Sequence, residues 1–282
     1  MINNRDMKKC TAIIFYSALF LLFSCTGKER RSDSPIPSPG IGQESVAMSI
    51  KDTINIHEEH SYAYAHEDAP SLIVDISLPV VKLKDAAATA RIDSTLALTL
   101  FDEHTTLKDA CNIFVDSRKK DFDDMHDEYI NSVGNDTPAF FFSLYDIIVG
   151  TAQVGYKDCI TYIVTHEEYN GGAHPNTYIN IINFDPANGG EITLDDIFKE
   201  GYEEQLTAIL TSTLMAKANA TTIDELHNKG FLFFDTEMFV SNNFILGNDN
   251  ITFLYNRYEI APYAAGEILL TIDYNTLKEI MK

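Results

Sequence analysis

The sequence predicts an α+β fold in which antiparallel sheets pack against helices and form two modules. Short apolar runs typical of strands recur along the chain, and two long stretches show helical periodicity. Strands and helices do not alternate regularly, which argues against a parallel α/β fold. The chain has 282 residues, of which 45% are apolar. That length and composition can build a sizeable core and exclude a wholly disordered chain.

The elements follow from the positions of these patterns. In chain order we expect strand 71–81, helices 85–101 and 106–129, strands 139–151, 159–168 and 177–184, helix 202–219, a hairpin of 243–246 with 251–255, strand 266–272 and a terminal helix 274–281. Pro79 should confine the first strand to a sheet edge or end it. Thr222 and Glu225 suggest a capping box for a brief further helix.

The net charge excludes one class of partner. The chain carries 42 acidic and 21 basic residues, a formal charge of −21 at pH 7. A surface of this sign repels a polyanion. We therefore expect no nucleic acid among the ligands.

The N-terminus predicts a lipoprotein. A positively charged start precedes an uncharged run over residues 10–24, which is shorter than the roughly 20 residues that span a bilayer as a helix. The run ends in Leu22-Phe23-Ser24-Cys25, which resembles the bacterial lipobox. That resemblance implies removal of residues 1–24 and acylation of Cys25, with palmitate among the chains. An ordinary signal peptide beside a chance cysteine is the alternative.

A tether and two modules are expected after the signal. Residues 25–47 are rich in Pro, Gly and Ser and predict a flexible tether. We place the modules at 48–182 and 183–282. Removing residues 1–24 takes away three basic side chains and one acid, so the mature charge is −23. We expect anchoring through the lipid of Cys25 at the outer membrane or the periplasmic face of a Gram-negative bacterium.

Two cysteines remain in the mature chain. Cys111 lies on the apolar face of the helix at 106–129, and Cys159 begins a strand. An oxidising compartment would let them pair. Because two cysteines are sparse for this length, two buried thiols are the favoured interpretation.

The first candidate ligand segment joins two strands. It reads Thr165-His-Glu-Glu-Tyr-Asn-Gly-Gly-Ala-His-Pro-Asn176. Gly171 and Gly172 supply positive φ for a tight connection. The candidate ligand-binding residues are Tyr169, Asn170, Gly171, Gly172, His174 and Asn176. A purely structural loop, fixed by hydrogen bonds of His174, is the competing interpretation.

The same segment also raises the question of a metal. His166, Glu167 and His174 are residue types that bind zinc, but the spacing matches no H-E-x-x-H signature because position 170 is Asn. Strand alternation puts His166 and Glu168 on one face and Glu167 on the other. We therefore expect no metal and no cofactor.

The second candidate segment runs from residue 253 to 266. Tyr and Arg dominate recognition surfaces, and five residues of this segment are candidate ligand contacts: Tyr255, Arg257, Tyr258, Glu259 and Tyr263. Core packing of Tyr255 and Tyr263 is the competing interpretation. No G-x-S-x-G, phosphate-binding loop or C-x-x-C is present, so we assign no catalytic residue.

Three motifs together resemble a known family. They are Y-N-G-G-A-H-P-N at 169–176, I-N-F-D-P-A-N-G-G-E-I-T-L-D-D-I-F at 182–198 and Y-N-R-Y-E-I-A-P-Y-A-A-G at 255–266. The combination is similar to the paired extracellular modules of unknown function in the anti-sigma-V factor, a pair also found ahead of a peptidoglycan deacetylase catalytic domain. The resemblance covers about residues 50–282, with its seam near residue 182.

The resemblance implies binding. The extracellular region of the anti-sigma factor binds lysozyme, and we expect neither its transmembrane helix nor the catalytic domain of the deacetylase here. The resulting hypothesis is a non-enzymatic envelope lipoprotein that binds a lysozyme-like cationic protein or a cell-wall glycan such as a peptidoglycan fragment. The alternative is an envelope glycan hydrolase that uses His166, Glu167 and His174, with zinc.

Overall fold

The computed structural model describes residues 48–62, 70–132, 142–232 and 237–282, and these belong to one compact unit. The predicted signal peptide, Cys25 and the tether lie outside the described residues. Helices pack on two sheets, so the α+β prediction is confirmed. Within the described ranges, no helix combines the length and apolarity that a bilayer crossing requires.

The first sheet has five strands in the order β1-β2-β3-β4-β5. Its elements are β1 Ser49–Ser61, β2 Ser71–Lys82, α1 Ala86–Phe101, α2 Leu107–Ser132, β3 Leu144–Val154, β4 Ile160–Tyr169 and β5 Asn176–Phe184. The second sheet has the order β6-β7-β8. Its part of the chain contains α3 Leu194–Ile197, α4 Glu203–Ala218, α5 Ile223–Asn228, β6 Phe244–Leu246, β7 Asn250–Tyr255, β8 Ile268–Asp273 and α6 Tyr274–Leu277.

One strand pair departs from the predicted antiparallel pattern. β2 and β3 run parallel, whereas every other neighbouring pair is antiparallel. The helices α1 and α2 connect β2 to β3, and such a long crossover returns the chain to the end where β2 began. The first sheet is therefore mixed, and the expectation of a wholly antiparallel sheet is wrong for this pair.

The strand containing Pro79 is not at an edge. β1, which periodicity did not single out, covers β2 along its whole length and takes the edge position. Pairing of β2 with β3 ends at Ser77, two residues before the proline. The Pro79 carbonyl accepts a 2.9 Å hydrogen bond from the Tyr162 hydroxyl. The missing amide hydrogen therefore falls where the β2–β3 ladder has already ended.

The long helices begin at side-chain caps. Asp85 accepts hydrogen bonds from the amides of Ala87 and Ala88 at the start of α1. Thr106 accepts one from the amide of Asp109 at the start of α2. Both helices turn apolar side chains toward one face of the first sheet.

Two hydrophobic cores fill the compact unit. The first lies between the five-stranded sheet and the helices α1 and α2, and it includes Cys111. The second is built by α4, the three-stranded sheet and the elements around them, and it includes Cys159. Both cysteines are free thiols and buried. The predicted boundary between modules at 182 and 183 stays a prediction.

Asparagine side chains cover the free edge of β5. The Ile181 amide donates to Oδ1 of Asn243 at 2.9 Å, and Nδ2 of Asn243 donates to the Ile179 carbonyl at 3.0 Å. Asn256 repeats this pattern on the amide and carbonyl of Ile179, at 2.8 and 3.1 Å. These amides take the role of a sixth strand, so the edge is not left open for unrelated chains.

Candidate functional site

The two candidate segments meet in one surface. The ring of His174 stacks on the ring of Tyr263, with 4.2 Å between centroids and 28° between planes. The Tyr263 hydroxyl donates a 3.2 Å hydrogen bond to the carbonyl of Pro175. The β4–β5 loop and the β7–β8 loop therefore form a continuous patch. We call it the aromatic surface and define it by Tyr145, Tyr169, His174, Arg257, Tyr258 and Tyr263.

A fixed cation lies at one side of this surface. The guanidinium of Arg257 is 4.5 Å from the ring centroid of Tyr263. Its Nε lies 2.9 Å from Oε1 of Glu267, and both side chains are largely buried. Tyr258, which is 53% exposed, has its ring 5.8 Å from that of Tyr263. The patch thus offers exposed ring area beside an arginine with little freedom to move.

Two further tyrosines extend the surface across the sheet. Tyr145 and Tyr169 stack at 5.6 Å with 21° between their planes. The Tyr145 hydroxyl donates to Oε1 of Glu167 at 2.9 Å, and the Tyr169 hydroxyl donates to the carbonyl of Gly172. Burial, followed by the hydrogen bond to Glu167, raises the pKa of Tyr145 to about 12. Tyr145 therefore remains a hydrogen-bond donor at neutral pH.

The glycines of the first segment adopt the predicted conformation. Gly171 and Gly172 have φ of 78° and 105°, values that side chains rarely allow. The preceding Asn170 is exposed, and its Oδ1 accepts a 2.6 Å hydrogen bond from Nη2 of Arg118. Asn176 is the first residue of β5 and is half-buried. The loop is thus fixed at both ends.

Two residues of the second segment have structural roles. Tyr255 is 0% exposed, and its hydroxyl donates to the carbonyl of Phe239 at 2.6 Å. It belongs to the core, so we remove it from the candidate contacts. Glu259 accepts a 2.7 Å hydrogen bond from the amide of Asn256 and holds the turn closed. Burial raises the pKa of Glu259, which is consistent with a carboxyl enclosed by this turn.

A polar cluster lies on the opposite, helix-facing side of the sheet. Asp146 is 1% exposed, and its Oδ2 accepts a 2.6 Å hydrogen bond from Nε of Arg118. Its Oδ1 lies 2.8 Å from Nε2 of His166. We call Arg118, Asp146, His166 and Glu168 the inner cluster. Asp146, at the centre of the inner cluster, was not predicted from the sequence. A single acidic residue at an inward-facing position of an apolar strand is the signal that could have found it.

The three residues of the hydrolase hypothesis are not brought together. His166 and Glu168 face the helices, whereas Glu167 faces outward and accepts from Tyr145. His174 lies in the loop against Tyr263. Among the described residues, the group with atoms close enough to share a metal is Asp146, His166 and Glu168. The alternation prediction for positions 166–168 is confirmed, and the proposed catalytic trio is wrong.

A cavity of about 240 Å³ lies elsewhere in the fold. Its walls come from the 156–159 turn, residues 185–197 and the C-terminal residues, with Tyr156, Cys159, Asp196 and Lys282 among them. It shares no residue with the aromatic surface or the inner cluster. The cavity is therefore separate from both candidate sites.

Comparison with known families matches the second half of the chain. Residues 195–275 match the family described as a protein of unknown function, DUF3298. A stretch of 128 residues is 28% identical to the peptidoglycan-N-acetylmuramic acid deacetylase PdaC of Bacillus subtilis. That stretch is 45% of this chain and 27% of the relative, so this chain matches only about a quarter of the length of the enzyme.

Two solved structures resemble the whole fold. A DUF3298 family member from Bacteroides fragilis superposes with a TM-score of 0.74 at 28% identity, over 85% of this chain and 96% of that one. A DUF3298 family protein from Pseudomonas aeruginosa gives 0.52 at 19% identity, over 82% and 94%, which shows the fold alone. The predicted resemblance to modules that accompany a peptidoglycan deacetylase is confirmed by the DUF3298 match at 195–275 and the similarity to PdaC, whereas the resemblance to the anti-sigma-V factor stays a prediction.

Proposed function

We propose that this protein is a non-enzymatic binding module of the bacterial cell envelope and that the aromatic surface holds its ligand. The convergence of the two loops, joined by the contacts of Tyr263 with His174 and Pro175, carries the proposal. The ligand we favour is a cell-wall glycan, because the curated relative is a peptidoglycan deacetylase.

The chemistry of the surface suits a sugar chain. Flat tyrosine rings offer apolar area for the C–H faces of pyranose rings, and they lose little side-chain entropy on binding. Tyr258 and His174 are exposed. Arg257 supplies charged donors beside them. The hydrogen bond from the Tyr263 hydroxyl to the Pro175 carbonyl and the stacking of Tyr263 on His174 already join the two loops, so the surface is preformed rather than assembled by the ligand.

The glycan proposal is tested by sedimentation with purified peptidoglycan and by titration with soluble muropeptides, using the full chain in detergent. We expect Tyr258→Ala and His174→Ala each to weaken binding at least tenfold. Tyr178→Ala is the matched control, because Tyr178 is 43% exposed but belongs to the helix-facing side of the sheet. Equal loss in the control, or no binding by the wild type, would contradict the proposal.

A lysozyme-like protein is the second candidate ligand, and the net charge favours it. A chain of −21, or −23 after removal of residues 1–24, attracts a cationic partner over distance. Binding and inhibition of lysozyme should then weaken steeply between about 0.05 and 0.5 M salt, because screening shortens the reach of these charges. Absence of binding at low salt removes this ligand and leaves the glycan proposal standing.

The membrane anchor is part of the proposal and rests on the sequence alone. The lipobox-like run that ends at Cys25 supports acylation of that cysteine in a Gram-negative envelope. Metabolic labelling with an alkyne fatty acid should mark the wild type and leave Cys25→Ser unlabelled. Labelling that persists in Cys25→Ser would refute the anchor without bearing on either ligand.

A further inference from the structure

We propose that Asp146, His166 and Glu168 form a binding site for one divalent first-row metal ion, for which zinc is the probe. One ligand atom from each residue lies within 4.8 Å of the other two. The site faces the helices, on the side of the sheet away from the aromatic surface. It therefore does not depend on the proposed ligand-binding function.

The backbone brings these three residues together. Asp146 of β3 and Glu168 of β4 are direct cross-strand partners. His166 lies two residues before Glu168, so strand alternation returns its side chain to the same face. Tertiary pairing, rather than a helical motif, thus makes the cluster, and for this reason no linear signature marks it.

The distances fit a small coordination sphere. Oδ1 of Asp146 and Nε2 of His166 are 2.8 Å apart and share a hydrogen bond. Ligands at 2.0–2.1 Å from a tetrahedral zinc ion lie about 3.3 Å from one another. If these two atoms moved apart by about half an ångström, a metal ion could take the place of the proton that they share. Imidazole nitrogen suits zinc and its first-row neighbours, and zinc also binds carboxylate oxygens.

An outer residue holds the buried carboxylate in place. Arg118 donates from Nε to Oδ2 of Asp146, which leaves Oδ1 directed toward His166. The same guanidinium is fixed by Oδ2 of Asp121 at 3.2 Å and by Asn170 at 2.6 Å. Metal sites depend on such outer hydrogen bonds, which orient a ligand and restrict its motion.

Charge and access also favour a cation. Asp146 and Glu168 carry two negative charges against the single positive charge of Arg118, so the carboxylates of the inner cluster attract a cation. His166 retains 22% of its side-chain exposure, and Glu168 is half-buried. Solvent can therefore reach the open side of the site, where a water molecule would complete the coordination.

Zinc titration of the full chain tests the site. The protein is prepared without a histidine tag, stripped with a chelator and titrated by calorimetry. We expect one zinc ion per chain and at least a tenfold loss of affinity in His166→Gln and in Glu168→Gln. Cobalt in place of zinc should give a visible absorption band that both variants lose, which reports coordination directly.

Matched controls come from the same segment. Glu167→Gln changes the neighbouring carboxylate on the opposite face, and His174→Gln changes a histidine of the loop. Both should bind zinc as the wild type does. Circular dichroism checks folding, and if His166→Gln is unfolded then Glu168→Gln, at a half-exposed position, decides.

Three outcomes would overturn the site. They are no stoichiometric zinc in the wild type, unchanged affinity in a folded Glu168→Gln variant, and equal loss in Glu167→Gln. None of these outcomes bears on glycan binding at Tyr258. Either proposal can therefore be refuted while the other stands.

Discussion

Nε of Arg118 donates a 2.6 Å hydrogen bond to Oδ2 of Asp146, a carboxylate with only 1% of its surface exposed. This contact ties the middle of α2 to β3. Burial of a carboxylate is costly unless a donor of opposite charge accompanies it. The inward acid of β3 and the arginine of α2 are therefore mutually dependent.

Loss of this arginine should be strongly destabilising. We expect Arg118→Ala to lower the free energy of unfolding by about 3–5 kcal/mol, because Asp146 would keep its burial and lose its cation. Urea unfolding followed by circular dichroism measures this, since the chain contains no tryptophan. The control is Lys120→Ala on the same helix, whose pair with Asp124 is exposed on both sides and should contribute little to stability. Similar losses in the two variants would contradict the argument.

Removal of an edge-covering amide should weaken the link between the two sheets. Asn243→Ala leaves the amide of Ile181 without its partner, whereas the carbonyl of Ile179 keeps the hydrogen bond from Asn256. We expect a loss of about 1–3 kcal/mol in unfolding free energy, the usual cost of unsatisfied buried groups. Amide hydrogen exchange at Ile181 should accelerate as well. Asn112→Ala, on the exposed side of α2, should change neither measurement.

The tyrosines of the aromatic surface should separate stability from binding. Tyr263→Ala removes a hydrogen bond, a stacked ring and a cation–π contact, and we expect a loss of about 1–3 kcal/mol. Tyr258→Ala should change stability by less than about 0.5 kcal/mol because Tyr258 is 53% exposed. Thermal unfolding of both variants checks the difference. A large loss for Tyr258→Ala would show that it is structural.

A pH-dependent pair lies at the edge of the sheet. The side-chain hydrogen bond of Asp75, at 2.6 Å, and its charge raise the pKa of His57 above the ordinary 6.5. A raised histidine pKa means stabilisation that is complete below 6.5 and disappears as the pH rises through the folded-state value. The wild type should therefore exceed His57→Gln in stability most at low pH, by less than about 1 kcal/mol because the ring is exposed.

An imidazole titration by NMR measures the pKa of His57 directly. Asp75→Asn should lower it toward 6.5. A wild-type value at or below 6.5 would show that the 2.6 Å contact does not persist in solution.

Local patterns predicted the elements but not their assembly. The helices at 85–101 and 106–129, and the strands around β4 and β5, follow from periodicity and are found within a few residues of the expected bounds. β1 was missed because it is rich in charged and polar residues. Few of its side chains are apolar, so the alternation typical of a strand is weak. The parallel pairing of β2 with β3 depends on how α1 and α2 pack, which no local pattern contains.

The candidate site, too, was predictable from the sequence only in part. Tyr258, His174 and Asn170 are exposed as their residue types suggest. Tyr255 is not, because the alternation of β7 turns it into the second core. The inner cluster joins residues from α2, β3 and β4, and only the tertiary pairing of Asp146 with Glu168 brings them together.

The placement of the two buried thiols makes each a reporter of a different part of the molecule. Cys111 belongs to the first core and Cys159 to the second. A thiol reagent reaches either one only when its own surroundings open. Labelling of the two positions at one common rate would mean that the cores open together as a single cooperative unit, whereas two rates would resolve them as separate folding units within one compact body.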